Sequence, residues 1–206
     1  MKQEILDRIK ALGGNTDNVK GHSLQEDLLS ITFNTVLYLR PKDAPWAQEP
    51  VWGIEDFVQD NWELFKSDKE AFYAKIIDKY FRLTEEGQGQ VFWTVQLFTP
   101  FKEGSEDFDE WNDWFEGEIA DANLEEIHKI IDERKPDFIQ VFHSYGYPDQ
   151  YYICLSDPNP ENPTLFGTDH ERFFIEISNE GNLEDFLHQF MTKDELLEII
   201  KNKIEK

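Results

Sequence analysis

The densest group of chemically active side chains is an acidic segment that runs from Glu103 to Glu126. It holds eleven carboxylates and no Lys or Arg. Four aromatic residues lie between these acids, namely Phe108, Trp111, Trp114 and Phe115. Carboxylates interleaved with aromatic rings suit a cationic protein partner, because the charges attract at long range and the rings anchor the contact.

On a helix, Phe108, Trp111 and Phe115 would share one face, since spacings of three and four match the helical repeat. The acids would lie around the remaining surface. Ordinary helices offset carboxylates one turn apart with cations, and the lack of cations here favours a partner site. A solvated helix whose aromatic residues belong to the core is the alternative. The predicted partner-binding residues of this segment are Glu106, Asp107, Asp109, Glu110, Asp113, Trp114 and Glu116.

A second candidate patch lies on the two sides of the predicted strand Thr164–Gly167 and is chosen for its charge and its expected exposure. It is predicted to add to the surface for a basic partner. Its members are Asp157, Asn159, Glu161 and Asn162, together with Asp169 and Glu171.

Metal binding is not favoured by the sequence. The five histidines are scattered, and the acidic run lacks the glycine and the ligand spacing of a calcium loop. Asp169, His170 and Glu171 are three successive potential ligands, but neighbouring residues of a strand point to opposite faces. We therefore expect a turn role for them and neither a metal nor a cofactor.

Catalytic motifs are equally weak. Cys154 is the only cysteine and lies in the apolar run YYICLSD, which indicates a buried and inert thiol. A dyad of Cys154 with His143 or His170 is geometrically possible. The segment Gly87-Gln88-Gly89 lacks the third glycine and the lysine of phosphate-binding loops. The sequence gives no positive evidence for an enzyme.

Composition limits the partners further. The chain has 206 residues, 15% aromatic residues and a net charge of −23, so it is long enough to bury a core. Its field repels nucleic acid and anionic membranes and attracts basic proteins. No apolar run reaches 18 residues, and MKQEILDRIK is no secretory signal. We expect a soluble, cytoplasmic protein.

The elements that position these residues alternate between helices and strands, which predicts an α+β fold with a mostly antiparallel sheet flanked by helices. Helices are predicted at 2–12, from Ser23, at 53–66, from Ser67 to Leu83, from Asn123 to Lys135, from Leu183 to Phe190 and from Thr192. Strands are predicted at Ile31–Leu39, Val91–Phe98, Phe138–His143, Gln150–Leu155, Thr164–Gly167 and Arg172–Ile177. A loop held by Trp46 and a turn around Gly87–Gly89 complete the prediction.

The passage from Pro136 to Phe190 contains PDFIQVF, GYPDQYYICLSD, PTLFGTDHE and GNLEDFLHQF in this order. It resembles the second half of the SUKH superfamily, which groups bacterial toxin-immunity proteins with fungal cell-wall regulators and herpesviral proteins. The matching positions are Gly146, Asp149, Tyr151, Ile153, Asp157, Leu165, Phe166, Asp169, His170, Leu183, Phe186 and Leu187.

The resemblance implies a non-enzymatic protein that binds and blocks a cognate toxin domain, for which a basic nuclease is one candidate. We expect one α+β domain over 1–206, with an elaboration at about 1–100 and the SUKH-like part at about 100–206. A regulatory scaffold similar to the fungal relatives is the first alternative. A hydrolase with an unrecognised carboxylate pair is the second.

Overall fold

A computed structural model describes residues 1–44, 47–84 and 89–205. The fold is α+β, with a six-stranded sheet in which every neighbouring pair is antiparallel. A short antiparallel pair, β1 (Gly14–Asn15) and β2 (Thr32–Phe33), stands apart. The six-stranded sheet has the order β3 (Leu37–Tyr38), β4 (Gln90–Phe98), β5 (Phe138–Ser144), β6 (Gln150–Cys154), β7 (Thr164–Thr168) and β8 (Ile177–Asn182).

The helices flank this sheet, and serine, threonine, aspartate or asparagine side chains cap several of them. Ser23, Asp68, Ser105 and Asn182 each accept a backbone N–H of the first turn that they precede. The helices are α1 (Gln3–Ala11), α2 (Leu24–Ser30), α3 (Ile54–Asp60), α4 (Trp62–Ser67), α5 (Lys69–Phe81), α6 (Glu106–Phe115), α7 (Glu125–His128), α8 (Leu183–His188) and α9 (Lys193–Ile204). The helix predicted from Thr192 is confirmed as α9, and Thr192 and Glu195 form a capping box with both of its hydrogen bonds present.

Apolar residues cover both faces of the sheet, because successive strand residues point to opposite sides. On one face, Val91 and Ile139 pack with α1, α2 and α8 in one cluster. On the other face, Phe98 and Phe138 pack with residues of α6 and α7. A third cluster joins Phe92 to α3, α4, α5 and α9. The helix α6 is thus held on the sheet by core packing.

Two predicted elements in the first half are interrupted. The predicted strand Ile31–Leu39 is two short strands, because Thr35 turns inward between them and donates its hydroxyl to the carbonyl of Phe81. The predicted helix 53–66 divides at Asn61, whose side chain donates to the carbonyl of Phe57. The next helix is capped by Asp68 and not by Ser67, since the Ser67 hydroxyl donates back to Glu63.

Two further predictions in the second half are wrong in extent. The predicted helix from Asn123 to Lys135 is only the short α7. The predicted strand Arg172–Ile177 is a 3₁₀ turn, His170–Arg172, followed by further turn residues, and β8 begins only at Ile177. Phe174 causes the change, since it is fully buried and takes a left-handed φ of 53° that a strand does not allow.

The first hundred residues contribute β3 and β4 to the same sheet as the later strands. The helix α1 also contacts the later part of the chain, because Arg8 donates to the backbone carbonyl of Leu187 at 3.2 Å. Trp46, Gly87 and Gln88, which the sequence places in a loop and a turn, lie outside the described residues. No helix in the described ranges combines the length and the apolarity needed to cross a membrane.

Candidate functional site

A cleft of about 280 Å³ lies beside α6, between this helix, the strands β4 to β6 and the segment 170–173. Aromatic side chains form part of its walls, namely Phe98 from β4, Trp111 from α6, Tyr152 from β6 and Phe173. The acidic helix and the sheet therefore form one concave surface.

The aromatic side chains of α6 hold the helix in place. Phe115 is buried in the cluster of Phe98 and Phe174. The Trp114 indole N–H donates to the backbone carbonyl of Phe173 at 3.0 Å, and the Trp111 ring lies 4.7 Å from the Phe173 ring. Trp114, which the sequence analysis predicts as a binding anchor, is half-buried and packs against the core cluster. Packing therefore fixes the orientation of these rings, while Trp111 still lines the cleft.

Four carboxylates of α6 are exposed, and none of them forms an ion pair with any residue that the structure describes. They are Glu106, Asp109, Glu110 and Asp113, which we call the α6 carboxylate surface. Exposed acids on most helices are offset by nearby cations. This surface therefore keeps its charge available to another molecule.

Two predicted site residues next to this surface are already engaged. Glu116 is exposed but pairs with Lys135 at 2.6 Å. Asp107 is half-buried, and its Oδ2 accepts the backbone N–H and the hydroxyl of Thr99. Asp107 therefore ties α6 to the end of β4, and it also lines the cleft.

Three glutamines that the sequence analysis did not single out line the cleft. Gln96 of β4 lies directly opposite Gln140 of β5 in the sheet. Gln150 of β6 accepts the Tyr152 hydroxyl at 2.8 Å. Burial, and next the charges of Asp149 and Asp107, raise the pKa of Tyr152, so it remains a neutral donor. The sequence feature that could have revealed these three glutamines is the single glutamine in each of the largely apolar strands VFWTVQLF, FIQVF and QYYIC.

His170 stands at the rim of the cleft and is held by a buried carboxylate. Its Nδ1 lies 2.5 Å from Asp149 Oδ2, and its backbone N–H donates to Asp149 Oδ1. The hydrogen bond that the imidazole donates to Asp149, and the charge of that carboxylate, raise the pKa of His170. The ring is exposed, so it can reach a bound molecule while Asp149 fixes its orientation.

Asp169 accepts the backbone N–H of Glu171 and caps the 3₁₀ turn, which is the turn role that the sequence predicts. Ligand atoms of Asp149, Asp169 and His170 lie within 4.8 Å of one another. The hydrogen bonds among Asp149, His170 and the turn account for this grouping. We therefore assign no metal to it.

The second predicted patch is not one surface. Its members Asp157, Asn159, Glu161 and Asn162 precede β7, whereas Asp169 and Glu171 follow it, so the two groups lie at opposite ends of that strand. Four residue steps of a strand separate them by roughly 13 Å. Asp169 and Glu171 instead adjoin the cleft through His170.

The exposure expected for Asp157 and Asn162 is wrong. Asp157 is 5% exposed and accepts the backbone N–H groups of Asn159 and Thr164. Asn162 is buried as well and donates to Asn182. Both residues shape the loop between β6 and β7. Asn159 and Glu161 are exposed there.

Nucleophilic chemistry has little support in this geometry. Cys154 is fully buried, and burial raises the pKa of its thiol, with smaller effects from Asp157 and Glu133. Its thiolate is therefore disfavoured. Among the described residues, the lining of the cleft includes no serine, threonine or cysteine.

A larger groove of about 570 Å³ lies between α3, α5 and Trp52, whose side chain is 72% exposed. Its lining mixes charges, with Asp56 and Asp60 opposed by Lys75 and Lys79. A basic partner gains less there than at the α6 carboxylate surface, because the two lysines repel it.

The likeness to SUKH proteins gains no support from comparison with known proteins. No family model, no curated protein and no solved structure matches this chain. The chemistry of the cleft and of the α6 carboxylate surface must therefore support any functional assignment.

Proposed function

We propose that the protein binds a basic protein through the α6 carboxylate surface and the adjoining cleft, and thereby neutralises a toxin, as the resemblance to SUKH immunity proteins implies. One observation carries the proposal. Four exposed carboxylates lie on one short helix with no cation paired to them among the described residues. The helix has no basic residue in its last turn either.

This arrangement is unfavourable for the free protein. Glu106 and Glu110 are one helical turn apart, as are Asp109 and Asp113. Like charges at this spacing destabilise a helix by about 0.2–0.5 kcal/mol for each pair. A cationic partner removes the repulsion, so the binding energy includes this relief.

The charge also favours rapid capture. With a net charge of −23, the protein attracts a basic partner before contact. Electrostatic steering of this kind supports association rates of about 10⁸–10⁹ M⁻¹s⁻¹ at low salt. Rapid association suits a protein that must block a toxin before the toxin acts.

An enzyme is a second candidate because of the pair formed by His170 and Asp149. A buried carboxylate that orients an exposed imidazole is the arrangement of a general base. The cleft supplies no hydroxyl or thiol nucleophile of serine, threonine or cysteine among the described residues, so such an enzyme would need to activate water. The binding function accounts for the acids of α6 as well, and we prefer it.

The first test is to recover the partner. The tagged protein is incubated with lysate of its own cells at low salt and eluted with a salt ramp, and the released protein is identified. The proposal expects a basic protein that is toxic when it is expressed without this chain. A basic partner without toxicity supports the regulatory scaffold and contradicts neutralisation.

The second test locates the interface with the recovered partner. The variant D109K/E110K/D113K reverses the α6 carboxylate surface. The matched control E70K/D78K/E198K makes the same change in net charge at exposed acids of α5 and α9. We expect the association rate at low salt to fall by about tenfold or more in the first variant and much less in the control. Equal effects would mean that only net charge matters, and no effect would exclude α6 as the interface.

A further inference from the structure

The cleft beside α6 combines three properties that together define a binding site for one side chain. Its volume of about 280 Å³ lies just below the range of about 300–1,000 Å³ typical of small-ligand pockets. Aromatic rings form part of its walls, and its polar groups include two carboxylates and three glutamine amides. Among the described residues, its lining includes no lysine or arginine.

The aromatic walls suit a flat cation. Trp111 is half-buried and lies against Phe173, whereas Tyr152 of β6 is only 4% exposed and packs against Phe98 and Phe174. Cations bind to the faces of Trp and Tyr, and a planar guanidinium also stacks on them. The rings are held by packing, so little order is lost when a ligand enters.

The acceptors come from several directions. Glu110 brings an exposed carboxylate without an ion-pair partner in the described structure, and Asp107 adds a second carboxylate, whose Oδ2 accepts from Thr99. The side-chain carbonyls of Gln96 and Gln140 lie on neighbouring strands. These groups surround the space from the helix and from the sheet.

This distribution favours arginine over lysine. A guanidinium carries five N–H donors in a fixed planar fork, whereas an ammonium is a compact point charge with three donors. Acceptors that are spread over α6, β4 and β5 can be satisfied together only by the wider group. The aromatic walls add stacking that an ammonium lacks.

We propose that the cleft is an arginine-binding subsite that receives one arginine side chain of the basic partner. The inference rests on the proposed function, because it assigns a specific contact to the same acidic surface. Glu110 forms the charge-assisted hydrogen bond, Trp111 stacks on the guanidinium plane, and the glutamine carbonyls accept its remaining donors. The α6 carboxylate surface attracts the partner, and the cleft selects for arginine.

The test uses small probes in place of the whole partner. Capped Gly-Arg-Gly is titrated into the ¹⁵N-labelled protein, with capped Gly-Lys-Gly and capped Gly-citrulline-Gly as references, since citrulline keeps the shape of arginine without its charge. We expect the arginine peptide to shift the Trp111 indole signal and the side-chain amide signals of Gln96 and Gln140. We expect it to bind about tenfold more tightly than either reference, which corresponds to about 1.4 kcal/mol.

A matched pair of variants locates the contact. Glu110→Gln removes a charge that lines the cleft, and Glu70→Gln removes a charge from an exposed position of α5 outside it. We expect the first variant to weaken the arginine peptide by about tenfold and the second to leave it unchanged. Equal weakening by both variants, or equal binding of the lysine or citrulline peptide, would overturn the subsite.

Free L-arginine distinguishes the source of the guanidinium. If the cleft receives an arginine side chain of the partner, the capped peptide should bind at least as tightly as the free amino acid. Binding of free arginine about tenfold tighter would indicate an amino-acid site and overturn the partner assignment. Absence of any shift in the cleft would reject the subsite, while the charge-reversal test with the recovered partner still decides the proposed function.

Discussion

Asp149 binds His170 twice, once through the ring and once through the backbone. Oδ2 lies 2.5 Å from Nδ1 of the imidazole, and Oδ1 accepts the backbone N–H of the same residue at 3.1 Å. Asp149 is only 7% exposed, so the carboxylate cannot exchange these bonds freely for water. The buried Asp149 therefore fixes the orientation of His170 at the rim of the cleft.

The first prediction concerns the titration of His170. The bond to Asp149 raises its pKa above the ordinary value of 6.5. A raised folded-state pKa gives stabilisation that is fully present below pH 6.5 and is lost as the pH rises through the folded value. An NMR titration of the imidazole should show the raised pKa directly.

Asp149→Asn supplies the comparison for His170, since it keeps the shape and removes the charge. The pKa of His170 should fall, and the loss of stability should be larger at pH 5.5 than at pH 9. Urea unfolding at the two pH values measures this. A loss of the same size at both would mean that the charge of Asp149 contributes nothing to the pair.

The second prediction concerns the hydrogen bond between the Trp114 indole and the Phe173 carbonyl. Trp114→Phe keeps an aromatic ring and leaves the carbonyl without its donor. The free energy of unfolding should fall by about 1 kcal/mol. Trp52→Phe, at a position that is 72% exposed, should change it by less than about 0.5 kcal/mol. Unfolding in urea compares the two variants. Equal effects would mean that the Trp114 hydrogen bond does not stabilise the packing of α6 on the sheet.

The third prediction is that a charge reversal in the candidate interface stabilises the free protein. Asp113→Lys replaces a repulsion with Asp109 by an attraction and puts a cation in the last turn of α6. The gain should be about 0.5–1 kcal/mol, measured by thermal unfolding. Asp109→Lys should gain less or lose stability, because it puts a cation in the first turn. Destabilisation by Asp113→Lys would indicate that the acid serves the fold.

The fourth prediction separates Asp157 from the interface. Asp157→Ala leaves the backbone N–H groups of Asn159 and Thr164 without their acceptor, so stability should fall by about 1–3 kcal/mol. Asn159→Ala, at an exposed side chain in the same loop, should be nearly neutral. Chemical unfolding gives both values. If Asp157→Ala is as stable as the parent protein, Asp157 is again a candidate residue for partner binding.

Much of the fold could be predicted because local patterns decided it. The capping box of Thr192 and Glu195 depends only on two residues that are three positions apart. The alternation of Val91, Trp93 and Val95 indicates a strand with these residues on one face, packed against the core. The turn at Phe174 could not be predicted. Its left-handed backbone is stabilised by burial among rings that are distant in sequence, so tertiary packing overrides the strand propensity of FFIEI.

The candidate site could also be predicted only in part from the sequence. The acids of α6 were evident from composition, since a run without cations is visible in the sequence alone. The cleft was not, because it depends on how β4, β5 and β6 align Gln96, Gln140 and Gln150 beside α6. The role of Trp114 depended on a contact with Phe173, 59 positions away. Such contacts are set by topology, which a single sequence does not reveal.

The two edges of the sheet are poor templates for another strand. At one edge, β8 carries the polar sequence ISNEGN, a left-handed Gly181 and an irregular register against β7. At the other edge, β3 is two residues long. Short, polar or irregular edges discourage the pairing of one chain with the next, which is the first step of β-aggregation. Pairing of copies of this chain into a continuous sheet through these edges is therefore disfavoured even at high concentration, because neither edge offers a long regular strand.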